Sequence, residues 1–173
     1  YLRHPTEEDV LGKWYEWFSD EETTKYLSDR YWPNCIENQL EFYRSLLNDK
    51  NRLVLSIICK SDDLHIGVLS MNINWVHRYA HFSMVVGEKK YRKMPYTLEA
   101  HVLQLKVAFL RLNLENVHSS QAASNKGALA IQRAFKFKQA GVYENLLCID
   151  GKREDLIVGI LSRDDYLKNN KLL

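Results

Sequence analysis

The stretch Val85–Ala100, VVGEKKYRKMPYTLEA, decides how the rest of the chain is read. An apolar, β-branched run closes at Gly87, and an amphipathic helix opens near Tyr96 after a short basic loop. A strand end therefore meets the first turn of a helix. The N–H groups of that turn have no intrahelical acceptor, and the helix dipole is positive there. Such a junction favours an anion, a phosphate above all. Lys89, Lys90, Arg92 and Lys93 bring positive charge to it, and Thr97 brings a hydroxyl.

Upstream of this junction, Arg52–Cys59 (RLVLSIIC), Ile66–Val76 and Tyr79–Val86 are three β-rich runs with short connections, which predicts an antiparallel meander. Further back, Tyr1–Pro5 reads as a short strand. Thr6 caps a helix with Glu7, Glu8 and Asp9 in its first turn. Val10, Leu11, Trp14, Trp17 and Phe18 then recur at helical spacing. A second helical piece spans Asp20–Leu27, and Ser28–Asn34, with Pro33, is a loop. Cys35–Leu47 is helical, its stripe formed by Ile36, Leu40, Phe42, Tyr43, Leu46 and Leu47.

Downstream, Tyr96–Leu112 is a helix with Leu98, Val102, Leu105, Val107, Ala108, Phe109 and Leu112 on its buried side. A strand at Asn116–Ala122 and a helix at Asn125–Phe135 follow. Two last strands, Gly141–Ile149 and Asp155–Leu161, flank a hairpin turn at Asp150-Gly151. The charged end beyond Asp164 is expected to fray. No repeat or low-complexity linker interrupts the chain, so one domain over residues 1–173 is expected. The fold class is α/β (α+β): a mixed, mostly antiparallel sheet of about seven strands flanked by helices.

A chain of 173 residues, 46% apolar and 27% charged, can bury a core of its own. Its net charge of +2 argues against a large polyanion, so no nucleic-acid partner is expected. No apolar run reaches spanning length, which gives no membrane partner. Cys35, Cys59 and Cys148 are odd in number and widely spaced; they read as reduced thiols of a cytoplasmic protein. No His, Cys or acid cluster has ligand spacing, so no metal is expected. The chain opens on Tyr1 rather than Met, which leaves a larger parent protein open.

The order of elements, together with local motifs, resembles the GNAT N-acetyltransferases over nearly the whole chain. Asn74-Trp75 and His77-Arg78 leading into Ala80 look like the third and fourth strands of members that modify amino sugars or ribosomal-protein N-termini. Asn125-x-x-Ala128, with Leu129 and then Phe137, is similar to the family's fourth helix and the aromatic after it. WYEWFSDEETTKYL at Trp14–Leu27, followed by Arg30-Tyr31-Trp32-Pro33, resembles the acceptor-side segment of bacterial amino-sugar acetyltransferases.

The resemblance implies acetyl-CoA as co-substrate. Its pantetheine arm would lie along Met84, Val85 and Val86, and its phosphates at Arg92, Lys93, Met94, Pro95, Tyr96 and Thr97. Lys93, Pro95 and Thr97 stand where the family places glycines, which predicts a looser, more salt-sensitive phosphate site. Asn125 would cap its helix and touch the cofactor arm. His81 occupies a place where relatives often carry glutamate, and imidazole can take a proton from an ammonium near neutral pH. Gln132 stands where relatives carry the tyrosine that protonates the leaving thiolate, and Lys136 replaces a glycine before Phe137. Tyr143 is the candidate substitute acid. Trp32, His77 and Ser83 are candidate acceptor contacts.

Each candidate also has a plainer reading: a buried strand, a solvated basic turn, a strand histidine, an N-cap, a packing tyrosine. The expected function is acetyl-CoA-dependent N-acetyl transfer to a small primary amine, favouring an amino sugar or sugar nucleotide. Direct transfer in a ternary complex is expected, because no nucleophile lies beside a base. The alternatives are a protein N-terminal acetyltransferase and a non-catalytic binding module. A monomer or homodimer is expected.

Overall fold

A computed structural model describes residues 1–169. Seven strands form one sheet: β1 (Leu2–Arg3), β2 (Arg52–Ile58), β3 (His65–Asn74), β4 (Tyr79–Val86), β5 (Asn116–Ala122), β6 (Lys138–Ile149) and β7 (Lys152–Ser162). Their order is β1-β2-β3-β4-β5-β7-β6. The helices are α1 (Glu7–Asp9), α2 (Tyr15–Ser19), α3 (Glu21–Thr24), α4 (Ile36–Leu46), α5 (Met94–Lys106), α6 (Lys126–Ala134) and α7 (Arg163–Asn169). The end expected to fray is helical through Asn169, and the remainder of that expectation falls outside the described residues. The chain divides into two compact units, Tyr1–Ile73 with Ser83–Lys106, and Asn74–Phe82 with Val107–Leu173.

In the first unit β2 pairs antiparallel with β1 and with β3, in register from Arg52↔Asn72 to Ile57↔Gly67. Alternation sends Val54 and Val68 into a cluster with Val10, Trp14 and Trp17. Leu55, Ile57 and Leu69 enter a second cluster with Tyr91 and Ala100. The strands are thus buried on both faces, as their near-continuous apolar run requires. Leu11, predicted to share the helical stripe, is 44% exposed. Gly12 departs from helical geometry (φ −99°, ψ −111°) and shifts the spacing within a π-helical turn.

Thr6 caps α1 through a reciprocal capping box with Asp9. Asp9 is buried and accepts two bonds from Arg3 (2.6 and 2.7 Å), one from the Thr6 amide and one from Ser56 Oγ. His65 Nδ1 lies 3.2 Å from the same carboxylate. Gly87 closes the strand for a steric reason. A Cβ there would stand 1.9 Å from the Trp17 ring, whose Nε1 donates to Glu88. Gly87→Ala is expected to cost about 1–3 kcal/mol through this overlap. Urea unfolding would show it as a lower midpoint at unchanged slope, whereas an unchanged midpoint would mean that Trp17 has room to move.

α5 starts at Met94, two residues ahead of prediction, and places Pro95 in the first turn, where a missing N–H breaks no helical bond. Its predicted apolar side holds two buried polar residues, His101 and Gln104. Burial pushes the His101 imidazole down to about 4, so it is neutral near pH 7.

In the second unit, β4 pairs parallel with β5 over Tyr79↔Asn116, Ala80↔Val117 and His81↔His118. β7 pairs antiparallel with β5 along its length and with β6 through the hairpin at Asp150-Gly151, whose φ values of 50° and 77° suit a type I′ turn. Asn125 caps α6 by accepting from the Ala128 amide. Lys136 holds φ at 58°, the left-handed conformation that explains a glycine at this place in relatives. Phe109 stacks on Tyr166 with centroids 4.7 Å apart.

Candidate active site

The candidate residues fall in both units. In the first, α4, the loop before it and strands β2, β3 and β4 enclose a cavity of about 420 Å³. Trp14, Phe18, Trp32 and Phe42 supply aromatic walls. Trp14 is buried and meets Phe42 edge-on at 6.0 Å, so it is fixed, whereas Trp32 is 77% exposed on its loop. The polar lining is mostly amide and hydroxyl: Asn34, Asn38, Gln39, Ser70 and Ser83. Among the described residues, Asp29 is its one carboxylate, and no Lys or Arg lines the cavity.

Asn34 anchors the loop by donating to the Tyr15 carbonyl (3.1 Å) and Ser19 Oγ (2.8 Å), and its own Oδ1 accepts from Gln39 Nε2 (2.7 Å). Strand β4 forms part of the wall by alternation. Ser83 and Val85 line the cavity, while Met84 and Val86 pack on the buried cluster around Leu69 and Tyr91. Ser83 Oγ lies 2.7 Å from Ser70 Oγ. Gln104, fully buried, donates from Nε2 to the Ser70 carbonyl (3.1 Å) and the Ser83 carbonyl (3.4 Å), while its Oε1 has no partner among the described residues. Sequence reading missed Gln104. The available signal was an amide on the buried side of an apolar helix.

The basic loop departs from expectation at Arg92. Its guanidinium donates to the carbonyls of Val86 (2.9 Å) and Gly87 (3.1 Å), to Thr23 Oγ1 (2.6 Å) and to Glu22 (3.2 Å). Four of its five N–H groups are therefore committed within the protein, and Arg92 braces α3 against the strand end instead of standing free for a phosphate. Lys89 pairs with Glu22 at 2.8 Å, which holds the Glu22 carboxyl below its ordinary range. Lys90 lies 3.8 Å from Asp62.

Lys93 is exposed and has no acidic partner among the described residues. Thr97 Oγ1 donates back to the Met94 carbonyl at 3.1 Å. Tyr96 meets Tyr91 edge-on at 4.9 Å. The donors left for an anion are the Lys93 ammonium and the first-turn amides of Met94 and Tyr96, since Pro95 has none and the Thr97 amide bonds Lys93. That set fits a phosphate of acetyl-CoA, with fewer contacts than a glycine loop gives.

In the second unit, the β4–β5 ladder ends with His81 directly opposite His118, ring centroids 4.9 Å apart. Burial first, and the neighbouring His118 second, push the His81 imidazole below its ordinary value. Burial does the same to His118. Tyr79 and His118 rings lie 5.5 Å apart, and His77 stacks on Tyr79 at 6.5 Å, so the predicted His77 joins a ring array with His81. His118 was not foreseen, because only strand register brings it to His81.

Gln132 is buried and gives both amide hydrogens to Ser119, at 3.0 Å to the carbonyl and 2.9 Å to Oγ. A Cβ on Gly159 would come within 2.9 Å of this side chain, so the glutamine fills the space beside β7. Tyr143, the candidate substitute acid, is 59% exposed on the outermost strand β6, with no hydrogen-bond partner for its hydroxyl among the described residues. No group of three metal-ligating side chains, and no helix long and apolar enough to cross a membrane, occurs among the described residues.

A family profile described as "Acetyltransferase (GNAT) domain" matches residues 1–138. Comparison with curated proteins found no match. Among solved structures, spermidine N-acetyltransferase from Vibrio cholerae, crystallised with CoA and spermine, superposes with a TM-score of 0.87 at 18% identity, covering 96% of this chain and 97% of that one. A GNAT-family acetyltransferase from Bacillus anthracis gives 0.80 at 15% identity, covering 94% of both. These likenesses establish the fold, and the profile establishes the family.

Proposed function

Because the chain belongs to the GNAT acetyltransferase family, we propose that it transfers an acetyl group from acetyl-CoA to a small primary amine. An amino sugar or sugar nucleotide is the favoured acceptor and a protein N-terminus the next. The observation that carries this reading is the aromatic cavity of the first unit, lined by Ser83 and Val85 of β4. When bound, acetyl-CoA supplies a thioester whose acetyl group moves to the acceptor nitrogen.

The chain's residues do the rest. His81, kept neutral by burial and by His118, takes the proton that the acceptor ammonium must lose. The extended backbone from Met84 to Val86 offers strand-type hydrogen bonds to the pantetheine arm, and an amide of Val85 or Val86 polarises the acetyl carbonyl. Lys93 with the Met94 and Tyr96 amides holds the phosphates, and Thr97 adds a hydroxyl contact. Asn125 fixes the start of α6 for the arm to pass. Tyr143 is the phenol proposed to protonate the leaving thiolate. A cytoplasmic setting fits the three unbridged cysteines.

Titration with acetyl-CoA tests the reading. A ligand held only by the folded state stabilises it by about 2.7 kcal/mol at one hundred times Kd. A concentration-dependent rise in Tm is expected, weakened by added salt. No rise at millimolar acetyl-CoA favours the second reading, a non-catalytic binding module. The commitment of Arg92 and Gln132 to internal bonds is the observation on that side.

A further inference from the structure

The acceptor cavity is unbalanced in its chemistry. Its walls are mainly aromatic and aliphatic, its amides are partly engaged with one another, and Asp29 is the one charged side chain on it among the described residues. Asp29 holds its loop through its backbone, where the carbonyl accepts from the Trp32 amide at 3.1 Å. Its carboxylate has no ion-pair partner among the described residues, and the residue is exposed. One open carboxylate and an exposed indole thus belong to the lining of a cavity that is otherwise uncharged and mainly aromatic and aliphatic, with a few amides and hydroxyls.

We infer that Asp29 and Trp32 select an acceptor whose buried part carries a single positive charge and one apolar face, so that polyamines are refused. This rests on the reading of the cavity as the acceptor site of an N-acetyltransferase. One carboxylate draws in and balances one ammonium. A second or third ammonium would lose its water against Phe18, Phe42 or Val54 with no counter-charge to replace it. A diphosphate meets the same obstacle, since no Lys or Arg lines the cavity. The nucleotide part of a sugar nucleotide therefore stays outside. The C–H face of an amino sugar, or the ring of an arylalkylamine, stacks on Trp32 as apolar surface does. The fold is shared with a spermidine acetyltransferase, but the charge on this wall suits a monoamine.

Thiol release from acetyl-CoA, measured with glucosamine, 2-phenylethylamine and spermidine, tests the selection. At least one monoamine is expected to exceed spermidine in kcat/KM by about a hundredfold or more, since even a hydrophobic pocket discriminates by about that much and a second ammonium costs further desolvation. Asp29→Asn is expected to raise KM for that monoamine about tenfold with kcat little changed, the signature of lost ground-state attraction. Trp32→Ala should raise KM in the same way. Spermidine as the better acceptor would overturn the selection, as would an Asp29→Asn enzyme whose KM for monoamines is unaltered. A Tm rise with acetyl-CoA, read in parallel without any acceptor, separates the two levels. If it persists while spermidine wins, only the monoamine assignment falls; if it is absent, the acetyltransferase reading falls first.

Discussion

Replacing His81 by alanine is expected to lower kcat by about 10²–10⁴-fold, the usual worth of a positioned general base. Acetyl-CoA should still raise Tm, because the donors assigned to the cofactor lie on the Met84–Val86 backbone and the α5 first turn. The pH profile carries the sharper test. A base works only when deprotonated, so kcat falls as pH drops through the pKa of His81. Burial and His118 both depress that pKa, placing the acid limb below about pH 6.5, the ordinary histidine value. His118→Ala removes the second cause but leaves the first, and should move the limb upward without abolishing turnover. A His81→Ala enzyme with wild-type kcat, or a limb unmoved by His118→Ala, would clear these histidines of the proton transfer.

Asp9→Ala is expected to cost about 3–5 kcal/mol, because it strands the partners of a buried charge. Arg3 would lose a bidentate acceptor, Ser56 and the Thr6 amide would lose theirs, and His65 Nδ1 would lose the carboxylate 3.2 Å away. Desolvation opposes ionisation of Asp9, but the bonds from Arg3, Thr6 and Ser56 together hold its carboxyl at about 2, against 3.8 for the free residue. A depressed carboxylate contributes stability above its unfolded pKa. That contribution, here about 2 kcal/mol, is fully present above pH 4 and fades as pH falls through 2.

His65 adds a slope of the same sign at higher pH. Burial depresses its imidazole despite Asp9, so the unfolded chain takes up a proton first and stability drops as pH falls below 6.5. Urea unfolding at pH 7, 5 and 3 measures both. Asp9→Asn should flatten the part of the slope below pH 4. A wild-type curve flat from pH 7 to 3 would mean that the cluster contributes little.

The first turn of α5 shows how far the sequence reaches. The basic loop, the strand before it and the helix after it were all legible, because each depends on neighbours a few positions away. The same holds for the Thr6 cap, the Asn125 cap, the Asp150-Gly151 turn and the meander of β2, β3 and β4. Helix start by proline was misjudged by two residues, since Pro95 is tolerated in the first turn as well as ahead of it. Leu11 was assigned inward because the helical period was carried through Gly12, where the backbone breaks it.

What local order determined by itself was the list of elements, their caps and the alternation that puts Ser83 and Val85 on one side of β4. Only the tertiary structure decided the use of each polar group. Arg92 reads as a phosphate ligand until α3 arrives from seventy residues upstream and takes its N–H groups. Gln132 reads only as a replacement for the family's tyrosine until Ser119 is seen to take both of its amide hydrogens. His118 is one histidine among six until strand register sets it against His81. The reason is physical. Backbone conformation follows from steric and hydrogen-bonding preferences within a few residues, whereas a side chain's charge state and partner depend on what long-range packing brings within hydrogen-bonding distance.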